Sequence, residues 1–192
     1  MVFHGRLTVV MLALVALWAW DLALGADSPD PRTRLEKRVY RNAEGETLPY
    51  RLFVPRNYDP AKKYPLILFL HGAGERGDDN EAQLKHAGVL RLVSDDVAAK
   101  HPSFLVAPQC PEKDTWGGLP RGRKSDFKAA DRPSKAMRLA MALLDALEKE
   151  YSIDPARRYV TGLSMGGFGS FDLCARRPKT DYEQSSGVRR GR

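Results

Sequence analysis

Histidine and cysteine are scarce in this chain, with four and two copies among 192 residues. The two cysteines, Cys110 and Cys174, are too few for a disulfide-dense scaffold or a cysteine-built zinc module. Sequence alone does not decide whether they pair, because that depends on how close their Cα atoms come. No cluster of His, Cys, Asp and Glu stands at metal-ligand spacing, so neither a metal nor an organic cofactor is implied. There is no N-x-S/T acceptor for a sugar and no internal repeat. Beyond residue 25 no apolar run is long enough to cross a bilayer. The net charge is +7, yet no stripe of aromatic and basic residues accompanies it. The basic residues are scattered apart from Arg121-Gly122-Arg123-Lys124 and the C-terminal tail. This reads as solvated surface rather than a nucleic-acid face.

What is present is an ordinary globular composition, 43% hydrophobic and 29% charged, enough for one core. Residues 1–25 are set apart. His4 and Arg6 precede an apolar run from Leu7 to Trp20, and Ala23-Leu24-Gly25-Ala26 offers small residues at a cleavage spacing. This describes a secretory signal peptide, and implies a secreted or periplasmic product with no stable membrane insertion after cleavage. A polar, Pro-containing linker at 26–34 comes next, then a domain at 35–175 and a basic tail at 176–192 expected to be disordered.

Within the domain, Leu35 to Tyr40 and Leu48 to Val54 read as an antiparallel hairpin turning at Asn42-Ala43-Glu44-Gly45. Tyr64 to Leu70 and Ser103 to Ala107 are continuous apolar runs, which suit central strands covered on both faces. A helix is expected from about Asn80 to Val93. Residues 108–133 form a long irregular stretch around Trp116. Ser134 caps the strongest helix, on which Met137, Met141, Leu144 and Tyr151 recur at helical spacing. A turn at Asp154-Pro155-Ala156-Arg157, a strand at Arg158 to Thr161 and a helix from Met165 to Ala175 complete the domain. This alternation predicts an α/β fold with a mostly parallel sheet.

Gly162-Leu163-Ser164-Met165-Gly166-Gly167 lies where strand gives way to helix. A G-x-S-x-G match is weak by itself, but strand, turn and helix are the setting a nucleophile elbow needs. Ser164 is the candidate nucleophile, and the Met165 backbone N–H at the helix start is a candidate oxyanion donor. His71-Gly72-Ala73-Gly74 follows a buried strand, at the sheet edge where α/β ligand sites form. Its glycines allow close backbone approach, and the Ala73 N–H, with the Gly74 N–H as the alternative, is the second candidate donor. His71, Gly72, Gly74 and Trp116 are candidate substrate contacts, although the strand-end position of His71 favours a role in organising the loop.

These segments resemble the α/β-hydrolase family. The likeness lies in Leu70 to Asn80, Ala107-Pro108-Gln109-Cys110-Pro111 and Tyr159 to Gly169. It is strongest toward secreted esterases and predicted peptidases of the feruloyl- and acetylxylan-esterase and phospholipase/carboxylesterase type. The resemblance implies a serine nucleophile with acid and histidine partners in the order Ser, Asp/Glu, His. It also implies a small-molecule or polysaccharide-linked ester substrate.

The chain departs from that pattern severely. No histidine comes after Ser164; His4, His71, His86 and His101 all precede it. Asp172 lies on the helix after the elbow, and Asp181 and Glu183 lie in a tail without a strand pattern. The expectation is a C-terminally truncated chain with impaired catalysis, whose last strand is an unpaired, aggregation-prone edge. The alternatives are a base supplied by His86 or His101, a serine peptidase of the same fold, or a non-catalytic remnant binding polysaccharide through the Trp116 loop.

Overall fold

The structure, a computed structural model, describes residues 30–117, 132–177 and 182–184. The expected signal peptide at 1–25 lies outside the described residues. The chain divides into two units, Met1–Asp30 and Pro31–Arg192, and the sheet and its helices belong to the second.

The hairpin is present as β1 (Glu36–Arg41) and β2 (Thr47–Phe53), paired antiparallel from Glu36 opposite Leu52 to Arg41 opposite Thr47. The turn is closed by Asn42, whose side chain accepts from the Glu46 N–H, and by Gly45 at φ 81. Next come β3 (Tyr64–Leu70), α1 (Ala87–Leu92), α2 (Asp95–Lys100) and β4 (Phe104–Pro108). The domain continues with α3 (Lys135–Glu150), β5 (Ile153–Gly162), α4 (Met165–Arg176) and β6 (Tyr182–Gln184). The sheet order is β1-β2-β4-β3-β5-β6. β2 runs antiparallel to β4, and the β4-β3-β5-β6 pairings are parallel. The α/β architecture with a mostly parallel sheet is therefore as the sequence predicts.

The continuous apolar runs are explained by two cores. Leu66, Leu68 and Leu70 of β3 and Phe104 and Val106 of β4 face a cluster with Met137, Leu139, Leu143 and Leu147 of α3. The alternate residues Phe69, Leu105 and Ala107 face a second cluster with Val89 and Val93. Successive strand side chains point to opposite faces, so a strand covered on both sides must be apolar at every position. Each fully buried leucine contributes about 1.5–3 kcal/mol of transfer free energy. Ser134 caps α3 by accepting from the Met137 N–H at 3.1 Å, and the Asp114 carboxylate accepts from the Ala136 N–H at 2.7 Å. Such a cap is worth about 1 kcal/mol.

Several expectations need correction. Residues 80–93 are not one helix but a 3-10 turn at Ala82–Leu84 followed by α1. Asn80 sits at φ 54, with its side-chain amide donating to the carbonyls of Arg38 and Tyr50, a conformation no helix admits. The short helix α2 was not expected, although Ser94-Asp95-Asp96 is an N-terminal signature with acidic residues in the first turn. The turn at Asp154–Arg157 is an irregularity inside β5. There the register with β3 jumps from Ile153 opposite Tyr64 to Arg158 opposite Leu66.

Part of the linker, Pro31–Arg34, forms a 3-10 turn tied to Val93 by the Arg34 guanidinium. Tyr182–Gln184, which the sequence pattern assigns to a disordered tail, pairs with Arg158–Val160 as β6. β5 is thus not a bare edge there; exposed N–H and C=O groups favour capture of a following extended segment. The rest of 178–192, and 118–131 of the long loop, lie outside the described residues. Cys110 and Cys174 are not joined in a disulfide, and burial with the nearby Asp114 carboxylate pushes the Cys110 thiol up to about 12.

Candidate active site

Ser164 occupies the sharp turn between β5 and α4 with φ 51 and ψ −111. L-residues with a Cβ rarely adopt that region, at a cost of about 1–3 kcal/mol. The turn is closed by Gly166 N–H to Leu163 C=O at 2.8 Å and Gly167 N–H to Ser164 C=O at 2.9 Å. Two glycines admit it. A Cβ on Gly166 would overlap the Leu70 carbonyl oxygen, with the Leu70 carbonyl carbon only 2.5 Å away. A Cβ on Gly162 would run into the Gly166 carbonyl and lie 2.8 Å from the Leu70 oxygen. Helix α4 therefore docks backbone to backbone on the end of β3, and the serine is left exposed above it. Relieving the strain by Ser164→Gly is expected to raise stability by about 1 kcal/mol, after the entropic cost of a glycine. Thermal melting tests this, and an unchanged or lower Tm would show that the turn is not strained.

The segment after β3 meets the elbow directly. A Cβ on Gly72 would lie 3.9 Å from the Ser164 Cβ and 3.5 Å from the Leu163 carbonyl oxygen. Gly72 is buried, whereas Ala73 and Gly74 are exposed beside it. Among the described residues, no group accepts from the backbone N–H of Met165 or of Ala73. Both sit at the first position of a helical turn, where N–H groups lack an intrahelical partner.

His71 and Trp116 do not line this surface. Both are fully buried. His71 Nε2 accepts from the Cys110 N–H at 2.9 Å, so Nδ1, 2.6 Å from the Gly72 carbonyl, carries the proton. Burial holds the ring below its ordinary pKa, and a neutral imidazole with both nitrogens engaged is no general base. Trp116 stacks edge-on against it at 5.2 Å and donates its indole N–H to the His71 carbonyl. It offers no face for a sugar. Both residues brace the loop from behind.

The remaining candidates for acid and base lie elsewhere. His86 precedes α1 with Nε2 3.4 Å from a Glu75 carboxylate oxygen, and His101 sits at the exposed end of α2. Asp172 is fully buried on α4 and bound twice by Arg176, at 2.6 and 3.1 Å. Among the described residues, none of these groups hydrogen-bonds to the Ser164 hydroxyl, and no cluster is arranged to hold a metal ion. An open cleft of about 680 Å³ at the hairpin end is lined by both charge signs, including Glu46, Lys113, Asp114 and Lys135. No residue of the elbow borders it.

Residues 42–184 match the Esterase family, described as "Putative esterase". The chain belongs to this family. Among curated esterase relatives, an Aspergillus terreus protein named "Probable feruloyl esterase C" is 30% identical over 131 residues, covering 68% of this chain and 42% of its own length. The Aspergillus flavus protein of the same name is 26% identical over 174 residues, covering 90% and 57%. The chain thus spans about half the length of the curated relatives it matches. The crystal structure of a thermostable esterase superposes with TM-score 0.69 at 38% identity, covering 78% of this chain and 39% of that one. A feruloyl esterase module from Clostridium thermocellum shares the fold, with TM-score 0.54 at 18% identity. Among the described residues of this esterase-family chain, no helix is long and apolar enough to cross a membrane.

One group of residues is not foreseen from the sequence. Arg51, Asn80 and Gln109 are buried polar side chains behind the His71–Glu75 loop. The signal was available for Gln109, a polar residue directly after the buried strand β4.

Proposed function

We propose that this chain carries the nucleophile and oxyanion half of a serine-dependent carboxylic ester hydrolase. Ser164 attacks the ester carbonyl. The developing oxyanion lies between the N–H groups of Met165 and Ala73, with the positive end of α4 behind it. Expulsion of the alcohol leaves an acyl-serine, which water then hydrolyses. The observation that carries this reading is the backbone of Ser164 at φ 51, ψ −111, with Gly72 packed against it. The lack of an acceptor for either N–H among the described residues supports the same reading.

A serine hydroxyl needs a base to become a good nucleophile, and among the described residues no histidine engages it. The chain by itself is expected to turn over slowly, at the residual level an oxyanion hole alone supports. The names of the curated relatives favour an aromatic carboxylic ester, free or linked to polysaccharide, as the substrate class. A serine peptidase would use the same geometry. The polysaccharide-binding remnant loses its main support with the burial of Trp116. Export through a signal peptide at 1–25 belongs to the same proposal.

A fluorophosphonate probe tests the nucleophile. Slow, stoichiometric labelling is expected, and Ser164→Ala should reduce it to background, at least about 100-fold. Labelling that survives Ser164→Ala would place the reactive group elsewhere. No labelling of the wild-type chain would leave a non-catalytic protein.

A further inference from the structure

We infer that Gln109 is a positioning residue, which sets the Ala73 N–H at its place beside Ser164 by gripping the return arm of the 71–80 loop. This role rests on the esterase reading of Ser164 and supplies the device that holds one of its two donors.

Gln109 is fully buried where the chain leaves β4, and its own N–H is anchored on the Pro49 carbonyl of β2 at 2.8 Å. Its side-chain amide makes three bonds to one loop. Oε1 accepts from the Asn80 N–H at 2.6 Å. Nε2 donates to the Asp79 carboxylate at 2.8 Å and to the Glu75 carbonyl at 3.2 Å. The next residue grips both arms: the Cys110 N–H holds His71 at 2.9 Å, and its carbonyl accepts from the Gly77 N–H at 3.0 Å. Gly77 lies at φ 149, and a Cβ there would stand 3.1 Å from Gln109 Nε2. That glycine is what lets the amide come so close.

The far end of the loop is fixed as firmly. The buried Arg51 guanidinium donates to the carbonyls of Asn80 at 2.6 Å and Leu35 at 2.9 Å, and pairs with Glu81. The outcome is a loop clamped at 71, 75, 77, 79 and 80, with exposed Ala73 between the first two of these. A donor displaced by about 1 Å from a developing oxyanion can cost about 100-fold in rate. A buried amide bonded through both its oxygen and its nitrogen is a stiff way to prevent such displacement, and removing it leaves several groups unpaired.

The test is amide hydrogen exchange on the full chain, with Gln109→Met as the variant that keeps bulk and loses all three bonds. Exchange at Gly77 and Asn80 is expected to rise at least about tenfold, with the amides of α3 unchanged. Ser164-dependent cleavage of a p-nitrophenyl ester should fall about 100-fold in kcat, with KM within about twofold. Unchanged exchange in the loop, or an equal rise in α3, would overturn the inference. Should Gln109→Met fail to fold, the pair Gln109→Glu and Gln109→Glu with Asp79→Asn replaces it. The single change sets two carboxylates against each other and frees the loop; the second change restores a donor between them and should recover most of the protection. No recovery would count against the brace. If the loop loosens as expected while wild-type cleavage proves independent of Ser164, the brace stands and the serine-esterase reading falls.

Discussion

Gly166→Ala is expected to leave no folded domain. The new methyl group would overlap the Leu70 carbonyl and lie 2.9 Å from the His71 carbonyl oxygen. All of these are backbone atoms at the end of β3, so no rotamer change can make room. Either α4 lifts away from β3 and uncovers Met165 and Leu173, or β3 itself moves; both costs exceed ~4 kcal/mol, a large share of a domain's stability. Circular dichroism and the soluble fraction after expression measure this. Gly88→Ala is the control, because nothing lies within 4 Å of its Cβ position inside α1. It should be neutral or stabilising by up to ~1 kcal/mol. A folded Gly166→Ala with Tm near the wild type would show that the close docking of α4 on β3 is not required.

His71→Ala is expected to cost about 3–5 kcal/mol and to change how stability depends on pH. The energetic part comes from a cavity beneath Trp116 together with an unpaired Cys110 N–H. The pH part comes from burial, which lowers the His71 pKa below its ordinary 6.5. Above pH 6.5 the ring is neutral in both folded and unfolded chains, and His71 adds no slope. Below it, the unfolded chain takes up a proton that the folded chain refuses, so stability declines as pH falls toward the depressed value. The slope approaches about 1.4 kcal/mol per pH unit. Carboxylates such as Glu46, held to about 2 by the Arg138 and Asn42 hydrogen bonds, lose their contribution only below their ordinary 4.5. Denaturant melts from pH 5 to pH 8 should therefore show a slope in the wild type that His71→Ala lacks. Equal slopes in the two proteins would mean that His71 is protonated in the folded state.

Much of the fold was legible because its elements are written in local patterns. The apolar runs of β3 and β4, the Ser134 cap and the period of α3 each arise from physics that acts over a few residues. The elbow was legible for the same reason, since only glycine fits at 162 and 166 once a helix must dock on a strand end. What was not legible was long-range. The Asn80–Val93 helix failed because Asn80 is held at positive φ by carbonyls of β1 and β2, far away in sequence. The short β6 failed because Tyr182-Glu183-Gln184 has no strand pattern of its own and pairs only because β5 presents free groups to it.

The site divides along the same line. From the sequence alone came a serine at a strand-to-helix turn, a glycine-containing loop after a buried strand, and the lack of any histidine beyond that serine. Those depend on residue type, spacing and order, which need no coordinates. Tertiary structure alone decided that His71 and Trp116 stand behind the loop and not on its surface. It also decided that Gln109, Asn80 and Arg51 hold that loop in shape. Burial and hydrogen-bond partnership are properties of what the rest of the chain places around a residue, and a polar side chain carries no mark in its own neighbourhood of which way it will face.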